Sequence, residues 1–369
     1  MSWVLTILGI VVLIVLHELG HFAVAKAVGM RVERFSLFFP PKVVSVKRGE
    51  TEYAIGALPL GGYVRITGMT PDELHTMDAR IAVRGFSMQP PWKRVAVILA
   101  GPLMNVLIAF VLFAAVLLSG SLNGAIALEN LNPSVRTVVD TTSVSNVERG
   151  SPAAAALRAR DEILAADGTR ASVTSVRARI DEHRCAGVLR NGCTAATPVH
   201  LTIRRAGHTF SESVYPRYNA DAKRMVLGFE FGASAKAFGV GSAASTSLDM
   251  MWHVTTQTIT GFGHALTSSK ARHEVSSIVG ITRAAHETVV AGAGYALVFL
   301  GFISLILAVI NLFPFLPLDG GHVLWAIAEK VRGARISVGA MYRFSSVGIV
   351  LLAFLVLNGL GNDISRLGG

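Results

Sequence analysis

Charge is scarce in this chain of 369 residues: Asp, Glu, Lys and Arg together make up 16%, against roughly 25% in an average soluble domain. Apolar residues reach 51%, so an ordinary soluble protein is excluded and a membrane setting is indicated. Cysteine is nearly absent. Its two copies, Cys185 and Cys193, bracket an Asn191-Gly192 turn signal. Alone they cannot furnish a zinc site; in an oxidising compartment they would close a hairpin as a disulfide, with two free thiols as the alternative. No internal repeat is visible, which argues against a transporter built from repeated halves. The net charge of +10 comes without a basic helix or an aromatic platform, which argues against nucleic acid as a partner. No Lys or Arg precedes the first apolar run, as the positive region of a cleaved signal peptide would require. Cleavage after Ala23-Val24-Ala25 would moreover discard the motif described next, so this run is kept as a span.

Four apolar stretches approach the roughly 20 residues needed to cross a bilayer: Trp3 to Leu16, continuing through Phe22, Ala23 and Val24, then Val95 to Leu118, Tyr295 to Leu312 and Phe344 to Leu360. Short-loop Lys and Arg set their orientation. Eleven lie between Lys26 and Arg94, and four between Asp319 and Arg343. Both loops therefore read as cytoplasmic, and the termini and the long region between spans two and three as external. The basic excess also attracts anionic lipid, making the lipid bilayer the first expected partner.

At the end of the first run stands His17-Glu18-Leu19-Gly20-His21. Imidazoles at i and i+4 share one helix face and can hold one Zn²⁺, while the glutamate between them can act as a general base. Ionisable residues at membrane depth are functional by default. The third apolar run ends in Asn311-Leu312-Phe313-Pro314-Phe315-Leu316-Pro317-Leu318-Asp319-Gly320-Gly321. Its prolines break the helix, and irregular backbone at that depth needs protein or a cavity around it. Asp319 is thus expected on irregular backbone at the same cytoplasmic depth as His17 and His21, completing a His, His, carboxylate ligand set; a plain helix-terminus residue is the alternative. Within the second run, Gly101-Pro102-Leu103-Met104-Asn105 suits close helix packing, with a place near the metal as the second reading of Asn105.

These motifs, with Pro59-Leu60-Gly61-Gly62-Tyr63-Val64 and Trp92-Lys93-Arg94, together resemble the site-2 proteases, and more narrowly the bacterial intramembrane zinc metalloproteases of the regulator-of-sigma-E protease type with a single PDZ domain. The resemblance implies an α-helical polytopic membrane protein of about four transmembrane helices, with a membrane-associated β-segment and an inserted extracytoplasmic α+β PDZ-like domain. It implies zinc held by His17, His21 and Asp319, Glu18 as the catalytic acid/base, and Asn311 holding substrate. Gly61 and Gly62 belong to the β-segment against which an unwound substrate would pair. The implied substrates are single-pass proteins, anti-sigma factors or remnant signal peptides, cut as the second step of regulated intramembrane proteolysis in a bacterial plasma membrane.

The expected order is a first transmembrane helix with the HExxH (1–30), the β-segment and loop (31–94), a second transmembrane helix (95–120), a linker (121–134), the PDZ-like domain (135–232), an amphipathic juxtamembrane segment (233–294), a third transmembrane helix with its broken end (295–321), and a cytoplasmic loop with the fourth transmembrane helix (322–369). In the PDZ-like stretch, Arg160 replaces the usual glycine before Asp161, and no clear glycine-rich carboxylate-binding loop is visible, the nearest segment being Asp140 to Val144. A steric gate is therefore as strong a reading as peptide capture by strand addition. Met250, Met251, Val254, Ile259 and Phe262 are expected on the membrane surface. His253, His264, His273 and His286 read as solvated rather than as a second metal site, and His322 as a neighbour of the metal and not a ligand. Two other functions stand beside the protease: a catalytically inactive membrane scaffold, which need not keep both Glu18 and Asp319, and a metal transporter.

Overall fold

The computed structural model describes residues 2–69, 78–135, 139–235, 237–272, 277–334 and 336–367; His273 and Arg335 lie outside them. In chain order the main elements are α1 (Ser2–Ala27), β1 (Val32–Arg48), β2 (Thr51–Ile66), α2 (Pro91–Ser119), α3 (Leu122–Leu131), β3 (Val139–Val147), β4 (Glu162–Ala166), β5 (Thr169–Arg170), α4 (Val173–Glu182), β6 (Val199–Arg205), β7 (His208–Val214), β8 (Arg217–Asn219), β9 (Arg224–Val226), β10 (Phe229–Ala235), α5 (Val240–Thr267), α6 (Ile278–Ala291), α7 (Ala293–Asn311), α8 (Asp319–Arg332) and α9 (Val338–Leu367). They form two compact units, one of Met1–Leu118, Ala127–Val135 and Gly239–Gly369, the other of Ser119–Ile126 and Arg136–Phe238.

In the first unit α1, α2, α7 and the Gly339–Ser365 part of α9 are long and apolar enough to cross a membrane. The 26 residues of α1 make a rod of about 39 Å. It is apolar on nearly every side, yet only a narrow stripe is buried: Thr6, Leu13, His17, Gly20, His21 and Ala25. Val4, Leu5 and Leu8 point outward, as suits a helix solvated by lipid with its backbone satisfied internally. Pro91 opens α2, where a missing N–H is harmless. From there α2 buries Val97, Gly101, Asn105, Ala109, Phe113 and Leu117, every fourth residue. The facing stripe on α7 is Val298, Gly301, Leu305 and Ala308, and Ser304 of α7 donates to the Asn105 carbonyl at 2.9 Å.

Between α1 and α2 the chain folds into a small sheet. Residues 34–37 are its centre: Phe35, Ser36 and Leu37 pair with Val64, Tyr63 and Gly62 on one side and with Tyr53, Ala54 and Ile55 on the other. Residues 44–48 then pair back onto 51–55. Ala25, Met30, Val32, Ile66, Phe86, Val97 and Ile98 form one buried cluster that seats this sheet on the ends of α1 and α2. A charged clamp reinforces the seat. Glu50, at the sheet's turn, accepts from Lys26 of α1 at 2.7 Å and from both Arg84 terminal nitrogens at 2.7 and 2.9 Å, while Arg84 Nε donates to the Gly29 carbonyl.

The second unit is built on a sheet of order β10-β3-β4-β6-β7, with β5 beside β4 and a separate β8-β9 hairpin. Val144, Leu157, Ile163, Val176, Ile180, Leu201, Ile203 and Leu227 fill its core. Asp161, almost fully buried, is held by Arg205 through two hydrogen bonds of 2.8 and 2.7 Å and by the Arg158 N–H. Arg160 just before it has φ of +73°. That left-handed backbone costs a side chain roughly 1–2 kcal/mol, which is the physical reason a glycine is expected there. Cys185 and Cys193 form a disulfide.

Several expectations are corrected. The stretch expected as a linker, 121–134, contains α3. The run Asp140–Val144, where no clear carboxylate-binding loop is expected, is interior to β3, which pairs with β10 and β4; the turn entering β10 is Leu227-Gly228, with Gly228 at φ +78°. Met250, Met251 and Val254 are buried, because α5 packs along α7, and Phe262 stacks on Phe313. Only Ile259 of that set is largely exposed. His286 is not a solvated residue: its ring stacks on Trp3 at 3.9 Å and its Nε2 meets Ser2 Oγ at 3.1 Å. At the N-terminal end of α6, Asp363 of α9 is buried and accepts the Ser277 and Gly280 N–H groups at 2.8 and 2.9 Å.

The clamp at Glu50 has a pH signature. Hydrogen bonds from Arg84 and then Lys26 hold its carboxyl at about 2, below the ordinary 4.5. A depressed carboxylate stabilises fully above its unfolded value and loses that contribution as pH falls toward the folded one. Glu50→Gln should therefore melt below the parent at pH 7, the difference closing between about pH 4.5 and 2, as thermal unfolding in detergent would report. Equal melting temperatures at pH 7 would contradict the clamp.

Candidate metal centre

A helix places residues four apart on one face, one turn above the other. In α1 this brings the His17 and His21 rings to 4.9 Å between centroids, edge to face, with their Nε2 atoms 3.3 Å apart. Asp319 enters from a different element. It is the first residue of α8, whose Leu318 caps the helix with extended backbone, so the carboxylate stands on a helical first turn and not on irregular chain. The turn is tight: a Cβ at Gly320 would overlap the Leu312 carbonyl. Two contacts hold α8 in place. Its Val323 packs into the cluster around Val97 and Ile98, and its Glu329 takes a 2.7 Å ion pair from the mostly buried Arg94 of α2.

The Asp319 Oδ2 lies 3.5 Å from His17 Nε2 and 3.3 Å from His21 Nε2. It is buried and makes no aligned hydrogen bond with either ring. Three donor atoms of a tetrahedral zinc site, each about 2.0–2.1 Å from the ion, stand about 3.3 Å from one another. The observed separations of 3.3, 3.3 and 3.5 Å are those of one face of such a tetrahedron. A buried carboxylate oxygen with no donor aimed at it is what a cation would satisfy. Among the described residues this is the one group of three metal-ligand side chains.

The surroundings come from backbone and small residues. The Val97 carbonyl of α2 lies 2.8 Å from His21 Nδ1 and so accepts its proton, leaving Nε2 free as a ligand atom. This approach depends on Gly101, where a Cβ would overlap the His21 ring, and on Gly20, where a Cβ would overlap the Ala100 carbonyl. Asn105, whose stronger expected role was packing, also reaches the site, with Nδ2 3.2 Å from His17 Nδ1. Asn311, the last residue of α7, has its amide nitrogen 3.5 Å from His17 Nε2.

Glu18 faces the sheet. Strand β2 passes so close that a Cβ at Gly62 would stand 2.8 Å from Glu18 Cγ, and the Val64 main-chain N–H faces the Glu18 carboxylate. Gly61 precedes this contact with φ of +146°. The structure thus brings together His17, Glu18, His21, Asp319, Asn311 and Gly62. Cys185 and Cys193 belong to the other unit. His322 is not part of the ligand group; burial pushes its imidazole below the ordinary value. Val97 and Val64 were beyond the reach of sequence reading because they act through main-chain atoms.

Peptidase family M50 matches residues 5–355 of the chain. The chain belongs to this family. The M50 chain is 32% identical to the zinc metalloprotease Rip1 of Mycobacterium tuberculosis, over 89% of its own length and 86% of that protein. It is 30% identical to a putative zinc metalloprotease of Clostridium perfringens, over 94% and 93% of the two chains, and 25% identical to one of Agrobacterium fabrum, over 98% and 95%. It is a zinc metalloprotease of a multi-pass membrane type, and the two imidazoles and one carboxylate fit zinc.

Gly101 supplies a direct test. Gly101→Ala improves helix propensity but drives a methyl into the His21 ring. The variant should remain monodisperse in detergent while its zinc affinity, measured by chelator competition, falls about 10–100-fold, the range for disturbed ligand support. Wild-type affinity would contradict the close approach of α1 and α2.

Proposed function

We propose that this M50 peptidase hydrolyses peptide bonds within the transmembrane segments of single-pass proteins, with His17, His21 and Asp319 as zinc ligands and Glu18 as general base and acid. One observation carries the reading: three ligand atoms at tetrahedral spacing, two of them on the helix that presents Glu18, which is itself long and apolar enough to cross a bilayer.

Bound there, zinc supplies Lewis acidity that eases deprotonation of water and polarises a scissile carbonyl. Glu18 takes the proton of the attacking water and delivers it to the leaving amine. The Val64 main-chain N–H facing Glu18 favours this orientation of the carboxylate, and Gly62 leaves room for it. A substrate helix hides its amides in i to i−4 bonds, so it must unwind before attack. Among the described residues Gly62, Tyr63 and Val64 pair with β1 alone, and the other edge beside Gly61 and Gly62 is where an extended segment would pair. Asn311, beside His17, holds that segment at the site.

The density of Lys and Arg in 26–94 and 319–343 supports an active site toward the cytoplasm of a bacterial plasma membrane. The second unit is then extracytoplasmic, in keeping with its disulfide. It reads as a PDZ-like domain, with β10 at the edge of its sheet and open to strand addition or serving as a steric gate. The substrates proposed are anti-sigma factors or remnant signal peptides, cut as the second step of regulated intramembrane proteolysis.

The test uses purified chain in detergent and a single-span substrate. Wild type should cut inside the span. Glu18→Gln should keep one zinc while cleavage falls at least about 100-fold, a typical general-base contribution. Cutting only outside the span, or wild-type turnover by Glu18→Gln, would overturn the proposal.

A further inference from the structure

Asn105 is fully buried. Its amide nitrogen faces His17 Nδ1 at 3.2 Å, while its Oδ1 is buried without a hydrogen-bond partner. The two ends of a carboxamide have the same shape and opposite chemistry, one donating and the other accepting. Which end meets the imidazole is therefore a chemical question, and His21 next to it supplies the comparison. There the group at Nδ1 is the Val97 carbonyl, which can only accept, so the proton stands on Nδ1 and the Nε2 lone pair is free.

His17 is under the same demand, since its Nε2 is the atom that approaches Asp319 and His21. An Nε2 that serves as a ligand leaves the ring proton on Nδ1. An amide nitrogen opposite that proton would set donor against donor in a buried place. Turning the amide end for end removes the conflict and gives the orphaned Oδ1 a partner. We propose that Asn105 is a positioning residue for the metal centre, accepting the His17 Nδ1–H through Oδ1 and so holding Nε2 toward the ligand set. The proposal rests on His17 being a zinc ligand. With Val97, it makes α2 the acceptor for both imidazoles of α1, although α2 supplies no ligand itself. Packing is served by a separate atom of the same residue, the main-chain carbonyl that receives Ser304.

Asparagine to aspartate keeps the shape and leaves only acceptors; asparagine to leucine keeps the bulk and leaves none. Zinc affinity by chelator competition, and the visible bands of the Co²⁺-substituted protein, are to be measured on full-length wild type, Asn105→Asp, Asn105→Leu and His17→Ala in detergent. Asn105→Asp should bind zinc within about threefold of wild type with unchanged cobalt bands, while Asn105→Leu loses about 10–100-fold, as expected when the partner of a metal-bound histidine is removed. If the amide nitrogen were the contacting end, or if Asn105 only filled space, Asn105→Asp would bind as poorly as Asn105→Leu or worse, because it adds a buried charge. That result, or wild-type affinity in Asn105→Leu, overturns the proposal. If the leucine variant does not fold, a tenfold loss in Asn105→Asp alone does so. His17→Ala separates the two layers of the argument: retention of zinc there overturns the ligand reading itself, whereas loss of zinc there with no effect at Asn105 overturns only the positioning role.

Discussion

The metal centre depends on how closely α1 and α2 can approach. In lipid, two helices gain little by burying apolar surface against each other, and contact between backbones takes over as the source of attraction. Gly20 against the Ala100 carbonyl and Gly101 against the His21 ring bring the two helices to that distance. Everything finer follows. The Val97 carbonyl reaches His21, Asn105 reaches His17, and the cluster around Val97 and Ile98 gains a floor on which Val323 of α8 rests. Widening the helix pair by the radius of a methyl group would disturb both imidazoles and the platform beneath Asp319 together.

Charge sets the second constraint. Glu18 and Asp319 are carboxylates in a region of low polarity, where isolated ions are expensive. One divalent cation balances two carboxylates, so a zinc-loaded centre with neutral imidazoles carries no net charge. On the proposed reading, such carboxylates would be tolerable in a membrane span only together with the cation that balances them.

Much of the centre was legible in the order of side chains. Spacing put His17 and His21 on one face, and Pro314 and Pro317 announced that the chain would break before Asp319, although they did not reveal that Asp319 would open a new helix. What stayed hidden was of two kinds. Main-chain groups leave no trace in residue identity, so the Val97 carbonyl and the Val64 N–H could not be read. Partner choice was the other. The apolar face of Met250, Met251 and Val254 would satisfy a membrane surface as well as α7, and a lone His286 gives no hint that Trp3, from the far end of the chain, is its neighbour. Arg160 is the converse case: the expected glycine is missing, yet the backbone keeps the glycine-like φ of +73°, because Asp161 and its bonds to Arg205 and Arg158 hold the turn against the strain.

Asp363 caps α6 from a position 86 residues later in the chain. Until α9 has been synthesised and inserted, the first turn of α6 lacks the carboxylate that accepts its N–H groups, and α6 is the helix against which Trp3 of α1 stacks. The helix that carries Glu18 thus leans, at its other end, on a helix whose first turn is completed by a side chain from a distant segment of the chain.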